Sequence, residues 1–170
     1  IMQPTPEQQI QFLKNMQRLL SEGRFTATYK YALLLALADI AVEHGNDSGE
    51  SLKIPTNLIA EKFIQYYWRQ AAPYMPRHDP AAGKVLLQNT GSQAEIVRFL
   101  VKTRDSHGGT ISSFRHDGKK WPSLVKRTDR VIRVMPLWKL QKVGQVISTF
   151  STPMKARVAL LNFGQELRFV

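Results

Sequence analysis

The segment TATYKYALLLALADIAVEHG (residues 26–45) carries apolar side chains on nearly every helical face before Gly45 stops it. A helix without a polar side has to be surrounded, because apolar surface left in water costs about 25 cal/mol per Å². The segment is therefore expected to be a central helix packed on several sides, and it commits the chain to a helical core. It is not expected to span a membrane. The longest apolar run, 27–42, is interrupted by Tyr29, Lys30 and Asp39 and falls short of the roughly 20 residues a bilayer requires.

The flanking sequence supplies elements to surround that helix. Thr5-Pro6-Glu7-Gln8 is a helix start, followed by Ile10, Leu13, Met16, Leu19 and Leu20 at helical spacing, and Gly23 ends it. Residues 46–50 read as a polar turn and Ser51 to Ile54 as a short strand. Pro55-Thr56 opens a third helix with Ile59, Phe63, Tyr66, Tyr67 and Gln70 along one face. Pro73, Pro76 and Pro80 make 72–83 a loop, and Lys84 to Leu87 reads as a second strand. Ser92-Gln93-Ala94-Glu95 has the form of a capping box for a helix to about Asp105, stabilised by Ile96, Val97, Leu100 and Val101. A short helix over Thr110 to Arg115 and a longer one from Trp121-Pro122 to about Val134 follow, and Met135-Pro136 stops or kinks the latter. Toward the end, Val146 to Phe150 and Leu167 to Val170 read as strands, with a competing helix start at Thr152-Pro153. The expected fold is mainly α: a single compact helical domain over 1–170 with a few short β-strands.

Composition agrees. At 170 residues, 43% hydrophobic and 22% charged, the chain is long enough for one core and unlike a disordered segment. Gln3, Glu7, Gln8 and Gln9 occupy the place of a signal peptide's apolar core. The chain has no cysteine, which removes disulfides and thiolate metal sites and fits a cytoplasmic protein.

The net charge of +11 is unevenly placed. Residues 1–80 hold eight Lys/Arg and eight Asp/Glu, whereas 81–170 hold sixteen against five, so the whole excess lies in the basic half 81–170. Such asymmetry points to a polyanion, since each phosphate neutralised by Lys or Arg releases condensed counterions.

No complete catalytic or metal-binding set is legible. His44, His78, His107 and His116 stand at no metal-ligand spacing, and neither a glycine-rich phosphate loop nor a nucleophile elbow occurs. Asp117-Gly118-Lys119 resembles one end of a metal-dependent nuclease site but lacks upstream carboxylates. No cofactor, metal or catalytic residue is expected.

Binding features are clearer. At about 100° per residue, Lys126, Arg130 and Arg133 share a helix face with Arg127 at its border, while Leu124, Val131, Ile132 and Met135 lie opposite. Arg115, His116, Lys119, Lys120 and Trp121 extend this patch, and Arg24, Tyr29 and Lys30 form a secondary one. Tyr67, Trp68 and Arg69 offer aromatic surface beside a cation for stacking. Gln88, Asn89 and Gln93, running into a helix N-terminus, have the side chains that read base edges.

Four blocks, FLKNMQRLLSEGRFTATYKYALLLALADIAVE (12–43), LIAEKFIQYYW (58–68), LLQNTG (86–91) and MPLWKLQ (135–141), resemble in order and spacing the N-terminal region of bacterial HNH-endonuclease-type proteins. The resemblance covers roughly 7–142. In that family the nuclease module lies further toward the C-terminus, so the resemblance implies a recognition domain for a restriction or phage-defence endonuclease and transfers no catalytic residue. Some HNH restriction enzymes carry an N-terminal domain that recognises phosphorothioate DNA. Sulfur is larger and less hydrated than oxygen, so its reader needs an apolar cup beside cations; Tyr67, Trp68, Ala71 and Pro73, or Trp121 and Pro122, are the candidates here.

The sequence-based expectation is thus a non-catalytic, cytoplasmic domain that binds double-stranded DNA, backbone-modified DNA included. Lys and Arg do not distinguish DNA from RNA, so RNA stays open as a partner. A protein-assembly module and a small nuclease built on Asp117 and Lys119 are the rival readings.

Overall fold

The structure, a computed structural model, describes residues 28–45, 52–75, 77–78, 83–107, 110–137 and 166–169, together with positions 6, 7, 10, 13, 14, 17, 20 and 21. The elements in chain order are α1 (Tyr29–His44), β1 (Leu52–Pro55), α2 (Thr56–Gln70), α3 (Glu95–His107), α4 (Ile111–Arg115), α5 (Lys120–Ile132), a π-helical turn (Arg133–Leu137) and β2 (Glu166–Phe169). The positions described between 6 and 21 are helical, as expected, and exposed. The molecule is a mainly α, single compact domain.

Its centre is α2, not α1. Ile59, Ala60, Phe63, Ile64, Tyr67 and Trp68 are all buried; spaced in pairs four residues apart, they form a stripe broader than that of α1. Such a stripe meets several neighbours, and α2 packs on α1, α3, α5 and β1. Removing the ring of Phe63, which is wholly buried, would cost about 3–5 kcal/mol. The expected face is rotated slightly, since Tyr66 is half-buried and Gln70 exposed. Tyr66 donates to Asp39 Oδ2 at 2.6 Å, and Lys62 pairs with Glu43, so polar bonds close the rim of the α1–α2 contact.

The expectation that residues 26–45 are enclosed on several sides is overturned. α1 buries Tyr29, Ala32, Leu33, Ala36 and Ile40 but leaves Tyr31, Leu35 and Val42 56%, 50% and 86% exposed. The small Ala32 and Ala36 side chains let α1 lie close on α2, so one face suffices for its packing.

Pro55, at φ −61° and ψ 134°, carries the chain from β1 into α2. β1 pairs antiparallel with β2, Leu52 facing Phe169 and Ile54 facing Leu167, so both expected strands form, each displaced by one residue. The strand expected over Lys84 to Leu87 shrinks to one bridge, Tyr74 N–H donating to the Lys84 carbonyl at 2.9 Å. The readings for Val146 to Phe150 and Thr152-Pro153 lie outside the described residues.

α3 begins at Glu95, and Ser92 is exposed; the Gln93 side chain takes the Ala94 N–H in place of the expected serine cap. Gly91 precedes this start at φ +83°, a left-handed turn that suits glycine. α4 forms as expected, with Thr110 Oγ1 accepting the Ser113 N–H at 3.4 Å. α5 widens into the π-turn at Arg133, where Pro136 has no N–H to continue the ladder.

Candidate nucleic-acid interface

Asp117 sets the start of α5. Its Oδ1 accepts the N–H groups of Lys120 and Lys119 at 2.8 and 3.1 Å, and these bonds hold its carboxyl below the usual carboxylate range. Asp117 is thereby occupied in capping. No group of three or more metal-ligating side chains gathers among the described residues.

From that start, α5 turns Leu124, Val125, Thr128, Val131 and Ile132 into the core and Lys126, Arg127 and Arg130 to solvent. The one buried hydroxyl of this face, on Thr128, donates to the Leu124 carbonyl at 2.9 Å. The Arg127 guanidinium lies over the Phe99 ring, 4.5 Å from its centroid, and Phe99 belongs to α3. This contact joins the outer surface of α5 to that of α3, which exposes Arg98 and Lys102 one turn apart. Among the described residues, Arg98, Lys102, Lys126, Arg127 and Arg130 have no carboxylate at ion-pair distance.

Arg98 and Lys102 were missed in the sequence. The signal was present, because assigning Ile96, Val97, Leu100 and Val101 to the core leaves 98 and 102 outward on the same helix.

Arg133 takes a different part from its neighbours. Its Nε lies 2.9 Å from Asp129 Oδ2, and its Nη2 donates to Thr56 Oγ1 at 2.9 Å. It fastens the end of α5 to the first residue of α2. Asp129 Oδ1 is buried with no partner among the described residues, which makes the Arg133 bond its principal compensation.

A second group of cations lies at the start of α5. The Arg115 guanidinium is 5.1 Å from the centroid of half-buried Trp121, which meets Phe114 edge-on at 6.3 Å. Lys119, Lys120 and His116 are exposed. Lys120 Nζ lies 2.8 Å from His107 Nε2 and 3.7 Å from Asp117, so it is partly engaged within the protein. Pro122 is exposed beside Trp121, leaving an apolar surface next to Arg115.

Several expected contact residues are placed elsewhere. Tyr29, Tyr67 and Trp68 are at most 4% exposed and belong to the core, which corrects their assignment to a surface. Tyr29, Phe63 and Tyr67 form one ring cluster, with centroids 5.8–6.0 Å apart. Trp68 stacks on Phe114 at 5.6 Å and also receives Arg104, whose Nη1 donates to the Trp68 carbonyl at 3.0 Å. Burial pushes the Tyr29 hydroxyl up to about 12 and raises that of Tyr67 as well. Ala71 is buried too, so the cup drawn from Tyr67, Trp68, Ala71 and Pro73 does not form.

Each member of the base-reading trio makes hydrogen bonds within the chain. Gln93 Oε1 accepts the Gln88 and Ala94 N–H groups at 3.0 Å each, and its Nε2 donates to the Leu86 carbonyl at 2.9 Å. Gln88 Oε1 accepts from the Thr28 hydroxyl at 3.2 Å, and Asn89 Oδ1 accepts the Thr90 N–H at 2.9 Å. Their polarity serves the loop that leads into α3. Lys30 is half-buried, with Nζ donating to the Leu20 carbonyl; Arg69 is exposed on the last turn of α2; Arg24 lies outside the described residues.

Fold and site together define a helical domain with a cationic surface built across two helices. The chain belongs to the family described as Domain of unknown function (DUF8808), which matches residues 9–158. No curated protein matches the chain, and no solved structure matches it. Among the described residues no helix is long and apolar enough to cross a membrane.

Proposed function

We propose that this domain binds double-stranded DNA through the α3–α5 surface, with Arg98, Lys102, Lys126, Arg127 and Arg130 on phosphates. The observation that carries this reading is the set of exposed cations on two adjoining helices without paired carboxylates among the described residues. Like charges one turn apart, as in Arg98/Lys102 and Lys126/Arg130, cost a helix about 0.2–0.5 kcal/mol per pair, and an anionic partner relieves that cost. Arg115, Lys119 and Trp121-Pro122 extend the surface and supply the remaining apolar cup for a phosphorothioate. In this reading the domain is the non-catalytic recognition part of a cytoplasmic restriction or defence endonuclease of the HNH type.

The test is fluorescence anisotropy with unmodified, methylated and phosphorothioated duplexes and an RNA duplex, across a salt series. Binding that weakens steeply with salt, with Arg127→Ala and Arg130→Ala each lowering the log–log salt slope by about 1, is the expected result. Preference for the phosphorothioate that disappears in Trp121→Ala would assign the cup. Unchanged affinity and slope in both arginine variants, or no binding to any duplex, would overturn the reading.

A further inference from the structure

Lys120 is exposed at the start of α5, yet its ammonium is turned back onto two groups of the protein. Nζ lies 2.8 Å from Nε2 of His107, the last residue of α3, and 3.7 Å from Asp117 Oδ2. One of these partners is a histidine, the side chain whose charge ordinarily changes between about pH 5 and pH 8.

The imidazole is confined on its other sides. Phe114 of α4 meets it edge-on, with centroids 4.9 Å apart, and Ser106 Oγ lies 3.1 Å from Nδ1. The Ser106 hydroxyl gives its one proton to the Thr103 carbonyl at 3.0 Å, so toward the ring it can only accept. An ammonium can only donate. Both neighbours are therefore served by a ring with a proton on Nδ1 and a lone pair on Nε2.

We propose that protonation of His107 releases Lys120 to DNA phosphates, so that the cationic surface strengthens as pH falls through the histidine range. This regulation rests on the DNA-binding reading. A second ring proton places an N–H on Nε2 against the Lys120 ammonium, and the contact turns from attraction to repulsion. The same proton engages the other partner. Asp117 accepts the Lys120 and Lys119 N–H groups, which hold its carboxyl below the usual carboxylate range, and His107 acts on it electrostatically. It therefore stays ionised across this window and is at hand as the counter-charge of the imidazolium. Lys120 loses both of its internal partners to one protonation, and its exposed side chain is left to solvent or phosphate.

The other charged groups on the packed elements are engaged elsewhere or turned away. Arg104, three residues earlier on α3, lies over Trp68 and donates to its carbonyl. Asp105 is exposed about 200° around the same helix. Arg115 of α4 lies over Trp121, and His116, which follows it, is exposed.

The release can be followed without DNA. NMR spectra of the full chain from about pH 8 to about pH 5 are expected to show the Lys120 side-chain signals moving with the same midpoint as the His107 ring. That movement should vanish in His107→Gln, whose amide oxygen accepts from Lys120 at any pH, and persist in His116→Gln. Over the same range the log–log salt slope of duplex binding should steepen by about 1 more in the unmodified chain than in Lys120→Gln or His107→Gln. Lys120 signals that stay still while His107 titrates would overturn the proposal, whatever the DNA result. So would an equal gain of slope in Lys120→Gln. If Lys120 follows His107 but no duplex binds at any pH, the release stands and the DNA reading falls.

Discussion

The phenolic oxygen of Tyr29 accepts the backbone N–H of Ile96 at 2.9 Å, so a side chain from the first turn of α1 satisfies a donor in the first turn of α3. The first N–H groups of a helix have no intrahelical acceptor, and this one is buried. The bond fixes where α3 begins, and α3 carries Arg98 and Lys102.

Tyr29→Phe keeps the ring packing on Phe63 and Tyr67 but orphans the Ile96 N–H. A loss of about 1–3 kcal/mol in urea unfolding is expected, the range for a buried polar group left without a partner. A loss no larger than that of an exposed substitution such as Tyr31→Phe would mean that water or another acceptor replaces the phenol.

Stability should fall at alkaline pH. The Tyr29 hydroxyl is raised by burial from its ordinary value near 10 to about 12, so between those values the unfolded chain ionises and the folded one does not. The contribution is fully present below pH of about 10 and is lost as pH rises toward about 12, amounting to roughly 3 kcal/mol at most. Tyr66 and Tyr67 are raised in the same direction, Tyr66 by burial and then by its bond to Asp39, and they steepen the decline. Urea midpoints on either side of pH 10 measure it; a flat profile would contradict the burial of these hydroxyls.

Arg130 and Arg133 should separate binding from folding. Arg130 is exposed without a carboxylate partner among the described residues, so Arg130→Ala is expected to weaken DNA binding and leave the melting temperature nearly unchanged. Arg133→Ala removes bonds to Asp129 and Thr56 and leaves the Asp129 carboxylate uncompensated, costing about 1–3 kcal/mol of stability. Equal effects of the two on both measurements would show that Arg133 is not a tie between α5 and α2.

Gln93→Ala deletes three hydrogen bonds that hold the Leu86–Ala94 loop. Faster amide exchange at Gln88 and Ala94 and a stability loss of about 1–3 kcal/mol are expected. A change in base preference with no change in exchange would restore Gln93 to the role its sequence context suggested.

The sequence made the helices legible because each announces itself locally, through Pro55 before α2, Thr110 before α4 and Pro136 after α5. What it hid was which apolar helix the others surround. Residues 26–45 and 56–70 are both apolar enough, and only the greater width of the α2 stripe decides between them. Tyr29, Tyr67, Gln88 and Gln93 were read as ligand-binding groups because a polar atom advertises a partner without saying where it is. Here the partners are Ile96, Thr28 and the loop backbone, up to 67 residues away. The cations of α5 were legible because charge at helical spacing has few places to go except solvent.

The Arg127–Phe99 contact limits how this surface can be redesigned. Lys126 and Arg130 are exposed, so they can be exchanged or reversed in sign with little consequence for the protein beneath. Arg127 covers a ring that is only 3% exposed, and that protection depends on a flat cation. Lysine there would preserve the charge but not the flat face laid over Phe99, so conserving net charge at this position does not conserve the contact.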